Sequence, residues 1–94
     1  MNSIIHNHRQ EILAIAHQRG VINVRVFGSM SRDDAGPDSD VGLLVELEPG
    51  RSGVALGGFL MDVAELLNRK VDVVTEKALH PKLRGKIVKE AQPL

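Results

Sequence analysis

Over residues 3–19 apolar side chains recur every three or four positions, at Ile5, Ile12 and Ala16 with Ile4, Leu13 and Ile15 beside them, while Arg9, Glu11 and Gln18 fall between. This period predicts one amphipathic helix, capped by Asn2 or Ser3 and stopped at Gly20. The period then shortens. Residues 21–27 are rich in β-branched side chains and alternate from Ile22, which predicts a strand with Ile22, Val24 and Val26 on one face, ended by Gly28-Ser29. The polar stretch 32–39, punctuated by Gly36-Pro37, predicts a loop preceded by one helical turn over residues 30–33. Residues 40–47, apolar on both faces at Leu43-Leu44-Val45, predict a buried second strand that Glu48-Pro49-Gly50 ends. Helical spacing returns at Leu56, Phe59, Leu60, Val63, Leu66 and Leu67, closing at Asn68, with Gly57-Gly58 weakening the start. Residues 71–75 predict a short third strand, and residues 79–91 a last helix with Pro81 in its first turn and Leu83, Ile87 and Val88 on one side.

This order of elements predicts an α/β (α+β) fold in which a small sheet packs with helices in two or three layers. Ninety-four residues are too few for two parts that each bury a core, so a single domain over residues 1–94 is expected. The composition narrows the function classes. Lys plus Arg and Asp plus Glu number twelve each, giving no basic field, so nucleic acid is not an expected partner. Phe27 and Phe59 are the only aromatic residues, which excludes a platform that stacks single-stranded bases. The absence of cysteine removes disulfides, thiolate metal sites and thiol catalysis. No apolar run approaches the roughly 20 residues of a membrane helix, and the N-terminus lacks a signal peptide's layout, so a cytoplasmic chain with no membrane partner is expected.

Candidate chemistry gathers at strand ends, where ligand groups converge in α/β sheets. The Gly28-Ser29 turn offers backbone N–H groups and a hydroxyl suited to a phosphate oxygen, or is a plain strand-ending turn. Asp72, among Val71, Val73 and Val74, must face solvent, a pairing cation such as Arg69 or Lys70, or a site. The four histidines include no i, i+4 pair of the kind a helical zinc site uses. Lys82, Arg84, Lys86 and Lys89 could face RNA or an acidic partner, but with zero net charge a solvated helix face is the stronger reading.

Taken together, Phe27-Gly28-Ser29-Met30-Ser31-Arg32, then Pro37-Asp38-Ser39-Asp40, Leu43-Leu44-Val45 and Val71-Asp72-Val73-Val74, resemble the minimal nucleotidyltransferases of the DNA polymerase β superfamily. The resemblance runs from Val24 through the last helix and implies a mixed sheet of palm-like fold. It implies transfer of a nucleotidyl group from a nucleoside triphosphate, ATP being the common choice, to a hydroxyl with Mg²⁺. Gly28 and Ser29 would then hold the triphosphate, Asp40 would be a metal ligand, and Asp72 the third acid, a metal ligand that helps deprotonate the acceptor. Arg32 matches the basic residue that follows the turn and would join Gly28 and Ser29 in binding the nucleotide; its other reading is an ion pair with Asp33 or Asp34.

One position departs from the pattern. Where the family has its second metal-binding Asp, two residues after the first and on the same strand face, this chain has Gly42, which carries no ligand atom. Asp33 also stands where glycine is common. Glu46 lies roughly 13 Å along the strand from Gly42, too far to substitute, and Asp38 belongs to the loop. Impaired transfer is therefore expected, whether the chain is naturally degenerate, altered at this position, or weakly active through Asp40 and Asp72. With all 94 residues expected in the core, acceptor recognition is expected to fall to a second chain or a second copy. The resemblance implies a HEPN-domain toxin as that partner, with this chain as its antitoxin, acting by AMP transfer; the alternative is a non-catalytic module that neutralises the partner by occlusion. A contact surface on the apolar faces of the last two helices is one reading, and core filling the other.

Overall fold

The N-terminal helical pattern resolves into two helices, α1 (Ser3–Asn7) and α2 (Arg9–Arg19), because His8 leaves helical geometry at φ −108° and ψ 13°. Its Nδ1–H donates to the Ile4 carbonyl at 2.8 Å, which holds the break closed. The computed structural model describes residues 2–32, 34–36 and 38–94. The expectations placed on Asp33 and Pro37, namely the end of the helical turn, an ion pair with Arg32 and the Gly-Pro punctuation, lie outside the described residues.

Strand β1 (Val21–Phe27) forms as its β-branched composition dictates, but with its early residues turned over. Between Ile22 and Arg25 the pairing gains one residue, and Asn23 takes up the extra length in left-handed backbone, φ 52°. Such a bulge moves the residues before it to the opposite face. Val21, Val24 and Val26 therefore point into the core, while Ile22, expected inward, is 41% exposed.

After β1 come a helical turn, α3 (Ser29–Arg32), then β2 (Val41–Leu47), α4 (Gly53–Leu67) and β3 (Val71–Val74). Ser52 caps α4 by accepting from Val54 N–H, and Asn68 ends it in left-handed backbone at φ 51°. The glycine pair within α4 does not break the helix. Gly58 instead leaves room for the Arg19 guanidinium, which crosses to Asp62 at 2.9 Å. A 3-10 turn (Glu76–Ala78) leads to α5 (Pro81–Glu90), capped by His80 Nδ1 accepting from Lys82 N–H. Two further residues, Gln92–Pro93, pair with β1 as β4, an element that no hydrophobic pattern announces.

The sheet is mixed, in the order β3-β2-β1-β4: β1 is antiparallel to β2 and β4, and β2 is parallel to β3. One face packs on α1, α2 and α4, where Ile5, Ile12, Phe59 and Val63 meet Val26, Val41, Leu43 and Val45 without solvent exposure. By strand alternation the other face carries Arg25, Phe27, Gly42, Leu44, Glu46, Asp72 and Val74. No apolar residue of α5 joins the main core and none is fully buried; Leu83, expected on its packing side, is 53% exposed. Helix α5 is fastened at the rim of the second face, where Arg84 Nε–H donates to the Glu76 carbonyl and Gly28 N–H donates to Glu90. Among the described residues no helix is long and apolar enough to cross a membrane.

The bulge gives a stability test. Asn23→Val places a β-branched residue in left-handed backbone and is expected to cost about 1–2 kcal/mol, whereas Asn23→Gly stays within about 0.5 kcal/mol of the parent. Denaturant unfolding of the three chains measures both, and a Val variant as stable as the parent would contradict the bulge.

Candidate functional site

The parallel register of β2 and β3 sets Gly42 directly opposite Asp72, and the antiparallel register of β1 sets Phe27 on the other side of Gly42. Val41 N–H donates to the Lys70 carbonyl at 3.0 Å, anchoring the first rung of the parallel pair. Asp40 stands two residues before Gly42, about 6.6 Å along the chain direction. The structure thus brings Asp40 and Asp72 to one end of the sheet, both exposed, with Gly42 between them. No cation pairs with either carboxylate among the described residues. Arg69, a candidate partner for Asp72, instead donates from Nη1 to the carbonyls of Ser39 at 3.1 Å and Gly36 at 3.4 Å, pinning the loop that delivers Asp40.

Gly42 is covered by a neighbour. A Cβ at this position would lie 2.8 Å from Cε2 and Cζ of Phe27, so the ring occupies the space where a side chain would begin. Spacing in the sequence could not reveal this, because it depends on pairing between strands. The expected substitutes stay away. Glu46 pairs with Ile22 further along β2, where it lines a separate hollow with Thr75 and Lys77, and Asp38 is exposed in the loop. Asp38 does border, with Asp40, Asn68 and Lys70, a small depression of about 230 Å³. Among the described residues no three acids or histidines gather in a way that could hold a metal ion.

The turn after β1 is built as a glycine turn. Gly28 has φ 77°, and open space surrounds its missing Cβ, so glycine is required here by backbone conformation rather than by crowding. Ser31, which is buried, closes the turn: its Oγ–H donates to the Gly28 carbonyl at 2.8 Å and its N–H to the same oxygen at 3.0 Å. Ser29 is half-buried at the start of α3. Arg32 makes the expected ion pair with Asp34, Nε to Oδ2 at 3.2 Å, and a second one with Glu90. The sequence alone gave no role to Phe27, Ser31 or Glu90 and offered Arg69 only as a partner for Asp72. Phe27 and Ser31 lie inside the segment around Gly28-Ser29, whereas Glu90 stands 62 residues from Gly28.

Chemically, two exposed carboxylates can share one oxygen-seeking cation with phosphate oxygens and water completing its shell. A pair of bridged cations needs the ligand that Gly42 lacks, and so does not fit these residues.

Comparisons with known proteins bear on the family and the fold. A family model described as a nucleotidyltransferase domain matches residues 9–94. A protein of Methanocaldococcus jannaschii, provisionally named a protein adenylyltransferase, is 34% identical over 83 residues, which cover 88% of this chain and 89% of that protein. Among solved structures, one provisionally assigned as a minimal nucleotidyltransferase shares 37% identity and a TM-score of 0.86, covering 100% of this chain and 97% of that one. Another contains a tri-AMPylated Shewanella oneidensis HEPN toxin in complex with an MNT antitoxin; at 17% identity and TM-score 0.69, with 94% of this chain and 69% of that one covered, it shares the fold.

The Phe27 contact has a measurable cost. Gly42→Asp forces the ring aside and sets a carboxylate beside Asp72, which is expected to lower stability by about 1–3 kcal/mol. Combining it with Phe27→Leu is expected to be less destabilising than the sum of the single changes, as a double-mutant cycle by thermal or denaturant unfolding would measure. Strict additivity would mean that ring and side chain do not compete.

Proposed function

Because the chain belongs to the nucleotidyltransferase domain family, as a minimal nucleotidyltransferase, we propose that it acts in the cytoplasm as the antitoxin of a HEPN-type toxin, on a nucleotide-binding scaffold whose AMP transfer is strongly impaired. The observation that carries this reading is Gly42 in register with Asp72 beneath the Phe27 ring. On this reading Gly28 and Ser29 receive the triphosphate of ATP and Asp40 with Asp72 hold Mg²⁺. Bound there, Mg²⁺ would supply charge neutralisation at the transferring phosphorus. On the same reading Asp72 would accept the proton of the attacking hydroxyl. With no carboxylate at position 42, the negative charge that organises a two-ion transfer is incomplete, and the scaffold retains binding in preference to chemistry. The HEPN partner is supported by the fold shared with an MNT antitoxin seen in complex with such a toxin.

Neutralisation by occlusion, without transfer, is a second reading. It is favoured by two seats being taken from within: the Phe27 ring at position 42 and the Glu90 carboxylate at the Gly28 turn.

Intact mass of a co-expressed HEPN protein, incubated with Mg²⁺ and ATP beside this chain or its Gly42→Asp variant, separates the readings. Addition of AMP by the variant, faster by about a hundredfold or more than by the parent, is the expected result. Equal rates would overturn the assignment of position 42, and binding of the HEPN protein by both chains without any added mass would make occlusion the mechanism.

A further inference from the structure

The Gly28 turn already holds an anion, and that anion belongs to the chain itself. Glu90, at the C-terminal end of α5, accepts from the Gly28 N–H through Oε2 at 3.2 Å and pairs through Oε1 with Nη1 of Arg32. Its side chain is only 16% exposed. A backbone N–H and a guanidinium converging on two carboxylate oxygens form the donor set that a phosphate would also satisfy. Two residues later the chain becomes β4, where Gln92 and Pro93 pair with Val26 and Arg25 and Leu94 N–H donates to the Val24 carbonyl at 3.2 Å. At its other end α5 is fastened by Arg84 to the Glu76 carbonyl. Between these ties it buries no residue completely. Residues 84–94 therefore form a strap whose one apolar contact with the main core is the partly buried Leu94, held besides by a carboxylate on an oxyanion seat.

We propose that Glu90 is an internal ligand of this seat, that the phosphate oxygens of a polyphosphate displace it, and that displacement unlatches the C-terminal strap from β1. The inference rests on the reading of Gly28 and Arg32 as phosphate-binding groups, and extends it to a competition between bound nucleotide and the chain's own C-terminal segment. Arg32 serves both states, since losing Glu90 frees its Nη1 for the incoming oxygens while Nε keeps its pair with Asp34. The strap lies against the edge of β1, so occupancy of the seat is reported to a surface available to a partner chain.

The test uses the full chain and its Glu90→Gln variant, titrated calorimetrically with ATP and Mg²⁺ and separately with inorganic tripolyphosphate. Glu90→Gln keeps the shape of the side chain and removes its charge. It is expected to bind both ligands about tenfold or more tightly than the parent, the range expected when a charge-assisted contact no longer competes. In the parent chain, where no substitution can disturb folding, saturating tripolyphosphate is expected to accelerate amide hydrogen exchange at Leu94. Equal or weaker affinity of the variant for tripolyphosphate, or unchanged Leu94 protection in the ligand-bound parent, overturns the latch. ATP bound equally well by both chains likewise overturns the latch and leaves the nucleotide reading intact. Tighter tripolyphosphate binding by the variant, with ATP bound by neither chain, leaves the latch standing and overturns the nucleotide reading alone.

Discussion

The parallel pairing of β2 with β3 is the constraint on which the site depends. Parallel neighbours cannot be joined by a tight turn, so the chain must leave the sheet, cross it and return in the same direction. Here the crossing element is α4, and Phe59, Val63 and Leu67 seat it on the inner face. That packing decides which residue of β3 lies beside which residue of β2. A slip of one residue would turn Asp72 into the core and Val73 into water. The register Val41 with Val71 and Gly42 with Asp72 is thus maintained by apolar contacts on the face of the sheet opposite to the candidate site.

The two faces of the sheet follow different rules. The inner face is dry and closely packed, and carries the stability. The outer face mixes a fully buried Leu44 with exposed Glu46 and Asp72, and includes Arg25, 13% exposed and paired with Glu76 at 3.1 Å. Nε and Nη2 of Arg25 have no hydrogen-bond partner among the described residues. A buried guanidinium satisfied on one nitrogen is a poor source of stability. Its position between β1 and the turn after β3 makes it an orienting group, which ties the end of β3 to the strand that carries Phe27 and Gly28.

Much of the fold could be read from the sequence because local signals and tertiary demands agree. The β-branched run of β1, the apolar run of β2 and the helical period of α4 with Ser52 and Asn68 at its ends all formed where periodicity placed them, within a residue or two. Disagreements arose where one residue broke the period. His8 divides a helix that the apolar pattern makes continuous, and Asn23 inserts a bulge that reverses Ile22. Strand β4, two residues long, has no pattern to read. Gly28, Ser29, Asp40 and Asp72 could be proposed for the candidate site because they fall in segments whose spacing along the chain resembles that of a known family. The Phe27 ring over Gly42 and the Glu90 carboxylate at Gly28 were not, since both contacts are made between elements distant in sequence.

The ring over Gly42 also bears on the history of the chain. Glycine and aspartate codons differ by one base, so position 42 is a single mutation away from carrying a carboxylate. The structural path is not equally short in both directions. Removing a side chain from a strand facing an aromatic ring lets the ring settle inward, while restoring it must first push the ring out. The packing therefore acts as a ratchet, under which a side chain at position 42 is more easily lost than regained, its return being favoured only in company with a change at Phe27.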